Sequence, residues 1–97
     1  MINVYDVGDL VRCAANFKNT LNVDIDPSTV TFKVKPPTGA IITYAYGVDS
    51  QLVKDSVGDY YVDVNANAEG TWHWRFFSTG TGQAAAEQTF EVQKSYF

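Results

Sequence analysis

The sequence predicts an all-β fold: an antiparallel sandwich of two sheets and about seven strands. Three observations lead there. Apolar residues recur with period 2 along most of the chain, the spacing that puts one side of a strand in a core and the other in water. Clusters of glycine, proline, aspartate and serine interrupt the alternation at short intervals. No window carries an apolar stripe at the helical period. The best helix former, Ala84-Ala85-Ala86-Glu87-Gln88, is short and uncapped. Alternation with one polar side favours a sandwich, dry between its sheets and wet outside, over a small barrel.

Asn3 to Tyr5 reads as a short first strand. From Leu10 to Phe17, Val11, Cys13, Ala15 and Phe17 share one face, with Arg12, Ala14 and Asn16 on the other. Thr29 to Lys35 is the clearest strand, with Val30, Phe32 and Val34 pointing inward and Thr31, Lys33 and Lys35 toward water. Pro36-Pro37-Thr38-Gly39 ends it, because proline has no N–H for a ladder and glycine accepts positive φ. Ile41 to Tyr46 is rich in β-branched and aromatic residues, and Gly47-Val48-Asp49-Ser50 breaks it. The next alternation places Tyr60, Val62 and Val64 against Tyr61, Asp63 and Asn65. Trp72, Trp74 and Phe76 then alternate with Thr71, His73, Arg75 and Phe77. After the turn Ser78-Thr79-Gly80-Thr81-Gly82, Gln88, Phe90 and Val92 alternate with Glu87, Thr89 and Glu91.

The chain has 97 residues, which is room for one core, so residues 1–97 are expected to form a single domain. Its aromatic content of 14% is too high for a disordered tail. No apolar run approaches the roughly 20 residues of a membrane-spanning helix. Seven basic residues against eleven acidic ones give a net charge of −4, which disfavours nucleic acid as a principal ligand. Met1 leads straight into Ile2-Asn3-Val4-Tyr5-Asp6, without a basic and then apolar leader, and Cys13 is alone. Folding in a reducing cytoplasm is the expectation.

Two corners, the Gly-x-aromatic strand entries Gly58-Asp59-Tyr60 and Gly70-Thr71-Trp72, sharpen the sandwich to an immunoglobulin-like one. Gly58-Asp59-Tyr60-Tyr61-Val62 approximates the Gly-x-Tyr-x-Cys pattern of that fold, with Val62 in the cysteine's place. A tyrosine there turns its hydroxyl back to the backbone and pins a corner. Cys13 falls mid-strand, where such sandwiches keep their first core cysteine. Both tryptophans come late, so the expected fold is immunoglobulin-like without a disulfide. Small Cys13 and Ala15 leave room for a tryptophan from the opposite sheet.

Residues able to do chemistry are few. His73 lies on the face opposite Trp72 and Trp74 and is expected in solvent. One histidine and one cysteine do not make a zinc site. Cys13, among Val11, Ala15 and Phe17, reads as inert core. Asp24, Asp26, Asp49 and Asp55 sit near turns, but their spacing matches no calcium loop, and Asp26-Pro27-Ser28-Thr29 is ordinary turn chemistry. No two carboxylates stand out as a glycosidase pair, and the glycines fit neither a phosphate loop nor a dinucleotide fingerprint. No catalytic, cofactor-binding or metal-ligating residue is assigned, no cofactor is expected, and the chain is read as a non-enzyme. What remains is surface. Tyr61, Phe77, Tyr96 and Phe97 are the candidate interface residues, aromatics placed where a lone monomer has no need of them. Ile42, Tyr44 and Tyr46 share a face and are expected all inside or all outside.

The runs Tyr5-Asp6-Val7-Gly8-Asp9-Leu10-Val11-Arg12 and Asp26-Pro27-Ser28-Thr29-Val30-Thr31-Phe32-Lys33-Val34-Lys35-Pro36-Pro37-Thr38-Gly39, with Gly58-x-Tyr60 and Gly70-Thr71-Trp72-His73-Trp74-Arg75, resemble small immunoglobulin-like proteins of tailed bacteriophages and prophages. The resemblance covers most of the chain and brings no catalytic residues. It implies a virion structural role as a capsid decoration, neck or tail component. It also implies synthesis in the host bacterial cytoplasm and other virion proteins as partners, met in multiple copies within a symmetric assembly. Neither nucleic acid nor membrane is an expected partner. The alternative is a carbohydrate- or receptor-binding module on a particle or cell surface, with Trp72, Trp74 and Tyr61 stacking on sugars.

Overall fold

The computed structural model describes residues 3–80 and 85–94. Eight strands run through them: β1 (Asn3–Asp6), β2 (Leu10–Asn16), β3 (Thr29–Lys35), β4 (Ile42–Ala45), β5 (Leu52–Ser56), β6 (Asp59–Asn65), β7 (Gly70–Thr79) and β8 (Ala85–Gln93). They form a five-stranded sheet in the order β1-β8-β7-β3-β4 and a three-stranded sheet in the order β2-β6-β5. The fold is an immunoglobulin-like two-sheet sandwich: β3, β7 and β8 take the places of strands C, F and G, and β2, β6 and β5 those of B, E and D. One pairing departs from the antiparallel expectation. β1 runs parallel to β8, because the chain starts beside its own last strand and only then crosses to the other sheet at β2.

The inward column of β7 fills the space between the sheets. Trp72, Trp74 and Phe76 are buried, as are Phe32 on β3 and Phe90 on β8. Phe32 and Phe76 lie 4.8 Å apart, Trp74 meets Phe76 edge-on at 5.7 Å, and Trp72 stacks on Phe90 at 5.6 Å. The one polar atom of Trp72 is satisfied, since Nε1 donates to the Ala68 carbonyl at 3.0 Å. From the opposite sheet, Val11 and Cys13 on β2 and Tyr60, Val62 and Val64 on β6 close the core. Rings buried this way each contribute about 3–5 kcal/mol by truncation to alanine.

Several strand expectations change in contact with the structure. β5 is an extra strand. Only Leu52 is buried along it, and a bulge falls between Lys54 and Ser56, so no alternation marks it; pairing with β6 makes it a strand. The alanine run belongs to β8 from Ala85 on, where β7 offers a ladder: Ala85 pairs with Phe77 and Ala86 with Phe76. Gln88 is exposed, not inward with Phe90 and Val92. Along β4 and just past its end, Ile42, Tyr44 and Tyr46 are neither all in nor all out. Tyr44 packs on Phe32 at the sandwich corner, while Ile42 and Tyr46 stay exposed.

The tyrosine corner is also different. β6 is the E strand, in the same sheet as β2, and Val62 is the direct register partner of Cys13. The two cannot be the inter-sheet pair of an antibody domain. Tyr60 sends its hydroxyl to a carboxylate oxygen of Asp26 at 3.1 Å, not to the backbone. Gly58 stands beside it with φ +77°, donating its N–H to Asp26 at 3.0 Å and accepting from Phe17 N at 2.8 Å. A Cβ at Gly58 would lie 2.6 Å from the Phe17 carbonyl oxygen and 3.0 Å from that of Ile25.

Two outcomes follow. Tryptophan emission from the native protein is blue-shifted and resists acrylamide, and red-shifts only on unfolding. Gly58→Ala lowers the unfolding free energy by at least about 2 kcal/mol in urea titrations, from left-handed backbone strain plus the carbonyl clash.

Candidate interaction surfaces

The structure puts Tyr61 and Phe77 on opposite outer faces of the sandwich. Tyr61, on β6, is half-buried beneath the Arg12 guanidinium, 3.9 Å above its ring. Arg12 is held there by Asp63, through Nε at 2.9 Å and Nη2 at 3.1 Å. Phe77, on β7, is half-buried between Lys33 and Arg75, at 5.7 and 5.6 Å from its centroid. Each ring is a platform for cations. The two do not form one patch. Tyr96 and Phe97 lie outside the described residues.

The outer face of the five-stranded sheet carries Lys33, Lys35 and Arg75 on its β3–β7 side and Glu87, Glu91 and Asp6 on its β8–β1 side, with Glu87 directly opposite Arg75. Lys33 is the register partner of Arg75, and Lys35 that of His73. Like charges directly opposite across two strands are destabilising. Three other cations are matched: Arg12 with Asp63, Lys18 with Asp24 at 2.7 Å, and Lys54 with Asp26 at 2.6 Å. Among the described residues, Lys33, Lys35 and Arg75 make no ion pair. With Ile41, His73 and Glu87 they line a shallow trough of about 400 Å³. Period-2 alternation already turns these side chains outward. Their meeting across strands some forty residues apart in sequence is a matter of register, which no local signal carries.

The outer face of the three-stranded sheet has the opposite sign. Asp55, Asp59 and Asp63 gather around Tyr61 with Arg12, and Asp24 stands at the rim. Asp59 accepts from Ser56 Oγ at 2.6 Å and Asn16 Nδ2 at 2.5 Å, and these bonds hold its carboxyl below the usual range. Lys18, then Asn16, do the same for Asp24. Asp26 is a structural tie. It accepts from Lys54, Gly58 N and Tyr60; the Lys54 bond above all, then that of Gly58, holds its carboxyl below the usual range against an opposing desolvation, and the three bonds staple the segment before β3 to the β5–β6 turn.

The strand edges are treated unequally. Tyr46 N donates to Val30 O at 3.0 Å, so alternation along β4 points the peptide groups of Thr43 and Ala45 outward. Asp49 blunts that edge: its carboxylate takes the Ala45 N–H at 2.9 Å, while the Ala45 carbonyl accepts from Val48 and Asp49 N–H. β2 is longer and open. Phe17 N donates to Gly58 O, which by the same alternation turns the peptide groups of Arg12 and Ala14 away from β6.

Cys13 is fully buried, and desolvation pushes its thiol up to about 12, which keeps it protonated and unreactive at neutral pH. His73 is exposed, and Trp72 and Trp74 line the core, out of reach of a sugar. Among the described residues, no three His, Cys, Asp or Glu side chains group together as a metal site. Comparison with known proteins gives no matching family model and no curated protein with significant similarity.

Asp26 gives the fold an acid-sensitive joint. Its carboxyl is depressed in the folded state, so its contribution is present above the ordinary carboxylate pKa of about 4 and is lost as pH falls through the folded value. Asp26→Asn is less stable than the parent at neutral pH, and its stability falls less steeply on acidification, as urea titrations across an acid pH series measure.

Proposed function

We propose that this protein is a non-enzymatic structural component of a tailed-bacteriophage particle, a capsid decoration, neck or tail protein that works by protein–protein assembly. The sequence resemblance sets the class. The observation that supports the assembly reading is the cluster of Lys33, Lys35 and Arg75 on the β3–β7 side of the five-stranded sheet's outer face. Lys33 stands directly opposite Arg75, a like-charge pair on a surface where Thr31, Thr43, Thr71 and Thr89 serve as neutral neighbours and Glu87 faces Arg75 from β8. A free domain gains nothing from such pairs, whereas a domain docked on acidic groups does.

The rest of the molecule fits a brick. Its reactive thiol is sealed, several of its aspartates are tied into structural bonds, and its large rings are committed to the core. The sugar-stacking alternative loses its platform, because Trp72 and Trp74 face inward and the exposed side of Tyr61 is covered by Arg12. In a symmetric shell, modest affinity per copy suffices, since many contacts act together.

Mass spectrometry and imaging of purified particles test the role: the protein copurifies with them in a fixed stoichiometry and occupies symmetric density. Presence in the soluble fraction alone overturns it. Lys33→Glu separates folding from assembly. It turns a like-charge pair into an opposite-charge one, so it raises the unfolding free energy of the isolated domain by about 0.2–1 kcal/mol while reducing its occupancy on particles.

A further inference from the structure

The two sheets are unequal, five strands against three, and the larger is not fully covered. Ile42 and Tyr44 on β4 are the register partners of Val34 and Phe32, so they point to the inner side of the five-stranded sheet. Val34 and Phe32 are buried, yet Ile42 is 42% exposed. β5 pairs with β6 from Asp59 to Val62 and stops short of Val64. Between β4 and the far end of β6 lies a groove of about 460 Å³. Val34, Ile42, Tyr44, Val64 and Trp72 give it an apolar lining, to which β5 adds nothing among the described residues. We propose that this groove takes Tyr96 and Phe97 of a second copy of this chain, so that copies associate by exchanging the segment that follows β8. The inference rests on the assembly reading and names one partner in it.

Chemistry fits that occupant. A groove of this volume lies in the range that buries a compact apolar ligand. Tyr96 and Phe97, outside the described residues, are adjacent aromatics after the polar run Gln93-Lys94-Ser95. Such rings bury a large area on docking and lose little rotamer freedom. Asn65 and Asn67 also line the groove, and their amides suit the Tyr96 hydroxyl. Register decides which copy supplies the rings. Ile42 pairs with Val34, Val34 with Trp74 and Trp74 with Gln88, so the row through Ile42 crosses β8 at Gln88, well before Gln93. Three strand spacings of about 4.8 Å and about five residues of roughly 3.3 Å each separate Gln93 from Ile42, roughly 22 Å in all. The stretch from Gln93 to Phe97 reaches at most about 14 Å when fully extended. A chain therefore cannot lay its own rings on Ile42 and Tyr44, whereas a neighbouring copy can. Every copy owns both the groove and the segment, so a mutual exchange closes a two-fold pair and a one-way exchange runs on from copy to copy.

Sedimentation of the purified protein tests the inference, together with two variants: Tyr96→Ser with Phe97→Ser in the donated segment, and Ile42→Asp in the groove. The parent associates, and raising sodium chloride to about 0.5 M does not weaken the complex, because the contact is apolar. Each variant alone associates at least about tenfold more weakly than the parent. An equimolar mixture of the two recovers a complex, since the intact groove of the first receives the intact segment of the second. Circular dichroism and melting temperature establish that each variant is folded. If Ile42→Asp is not, Ile42→Thr stands in for it and must weaken association in the same direction.

A parent that stays monomeric overturns the inference. So does association indifferent to both variants, or a mixture of folded variants that fails to recover it. Association lost with Tyr96 and Phe97 but kept in the Ile42 variant seats the rings elsewhere and overturns the groove as their site. A monomeric parent whose binding to particles is lost in either variant assigns the groove or the rings to a different virion protein and overturns the second copy as partner. A monomeric protein still found on particles sinks this inference alone. A protein that exchanges segments in solution but is missing from particles sinks the virion reading alone.

Discussion

The structure depends on the seal that β7 makes between the two sheets. Trp72, Trp74 and Phe76 stand on one strand, held between β3 and β8, and every other buried side chain is placed relative to them. In antibody domains a disulfide crosses the gap at this level. Here Cys13 has no sulfur partner, and β7 offers rings in place of a second cysteine. The exchange is physically sound. A disulfide limits the unfolded chain, whereas buried rings stabilise the folded one through area and dispersion. It also explains why Cys13 is small and wholly enclosed. It gives up volume to the opposite sheet, and its thiol is never exposed to chemistry.

A core made this way leaves the loops to be fastened separately. Asp26 does so by non-covalent means, drawing Lys54, Gly58 and Tyr60 onto one carboxylate. Tyr60 thereby works twice. Its ring packs edge-on against buried Phe17 on one side and exposed Tyr46 on the other, and its hydroxyl leaves the core to meet the loop. Gly58 is needed at the same place because the Phe17 and Ile25 carbonyls crowd its Cα. The joint is exposed and ionic, so acid loosens it, while the aromatic layer above it is indifferent to pH.

This division of labour marks the limit of what the sequence could be read for. Period-2 alternation located β3 to the residue, β2 and β6 nearly so, and the inward column of β7 with its tryptophans. It did not find β5, where Leu52 is the sole buried residue and a bulge interrupts the pattern. It also assigned Gly58-x-Tyr60 to the wrong strand of the immunoglobulin plan, because a glycine followed by a tyrosine records a turn and a buried ring but not which sheet they belong to. The surface was legible residue by residue and illegible as a surface. Lys33, Lys35, His73 and Arg75 were each seen to face water, and Tyr61 and Phe77 to be candidates. That Lys33 meets Arg75 and Lys35 meets His73, and that the two rings stand on opposite sides, follows from pairing alone.

The outer cross-strand pairs and the core share one cause. Register in a sheet moves by whole residues, and a slip of one would turn Trp74 and Val34 to water and their neighbours inward. Because Trp74 must lie beside Val34 in the core, Arg75 must lie beside Lys33 outside it. The core therefore fixes which outer positions meet, but not what occupies them. Threonine fills neighbouring positions of the same face, so neutral residues fit this backbone. Placing lysine against arginine at positions the fold has already locked together adds repulsion that folding does not require. Arg12, Lys18 and Lys54 are each met by an aspartate, whereas Lys33 and Arg75 face each other across β3 and β7, with Glu87 opposite Arg75 on β8.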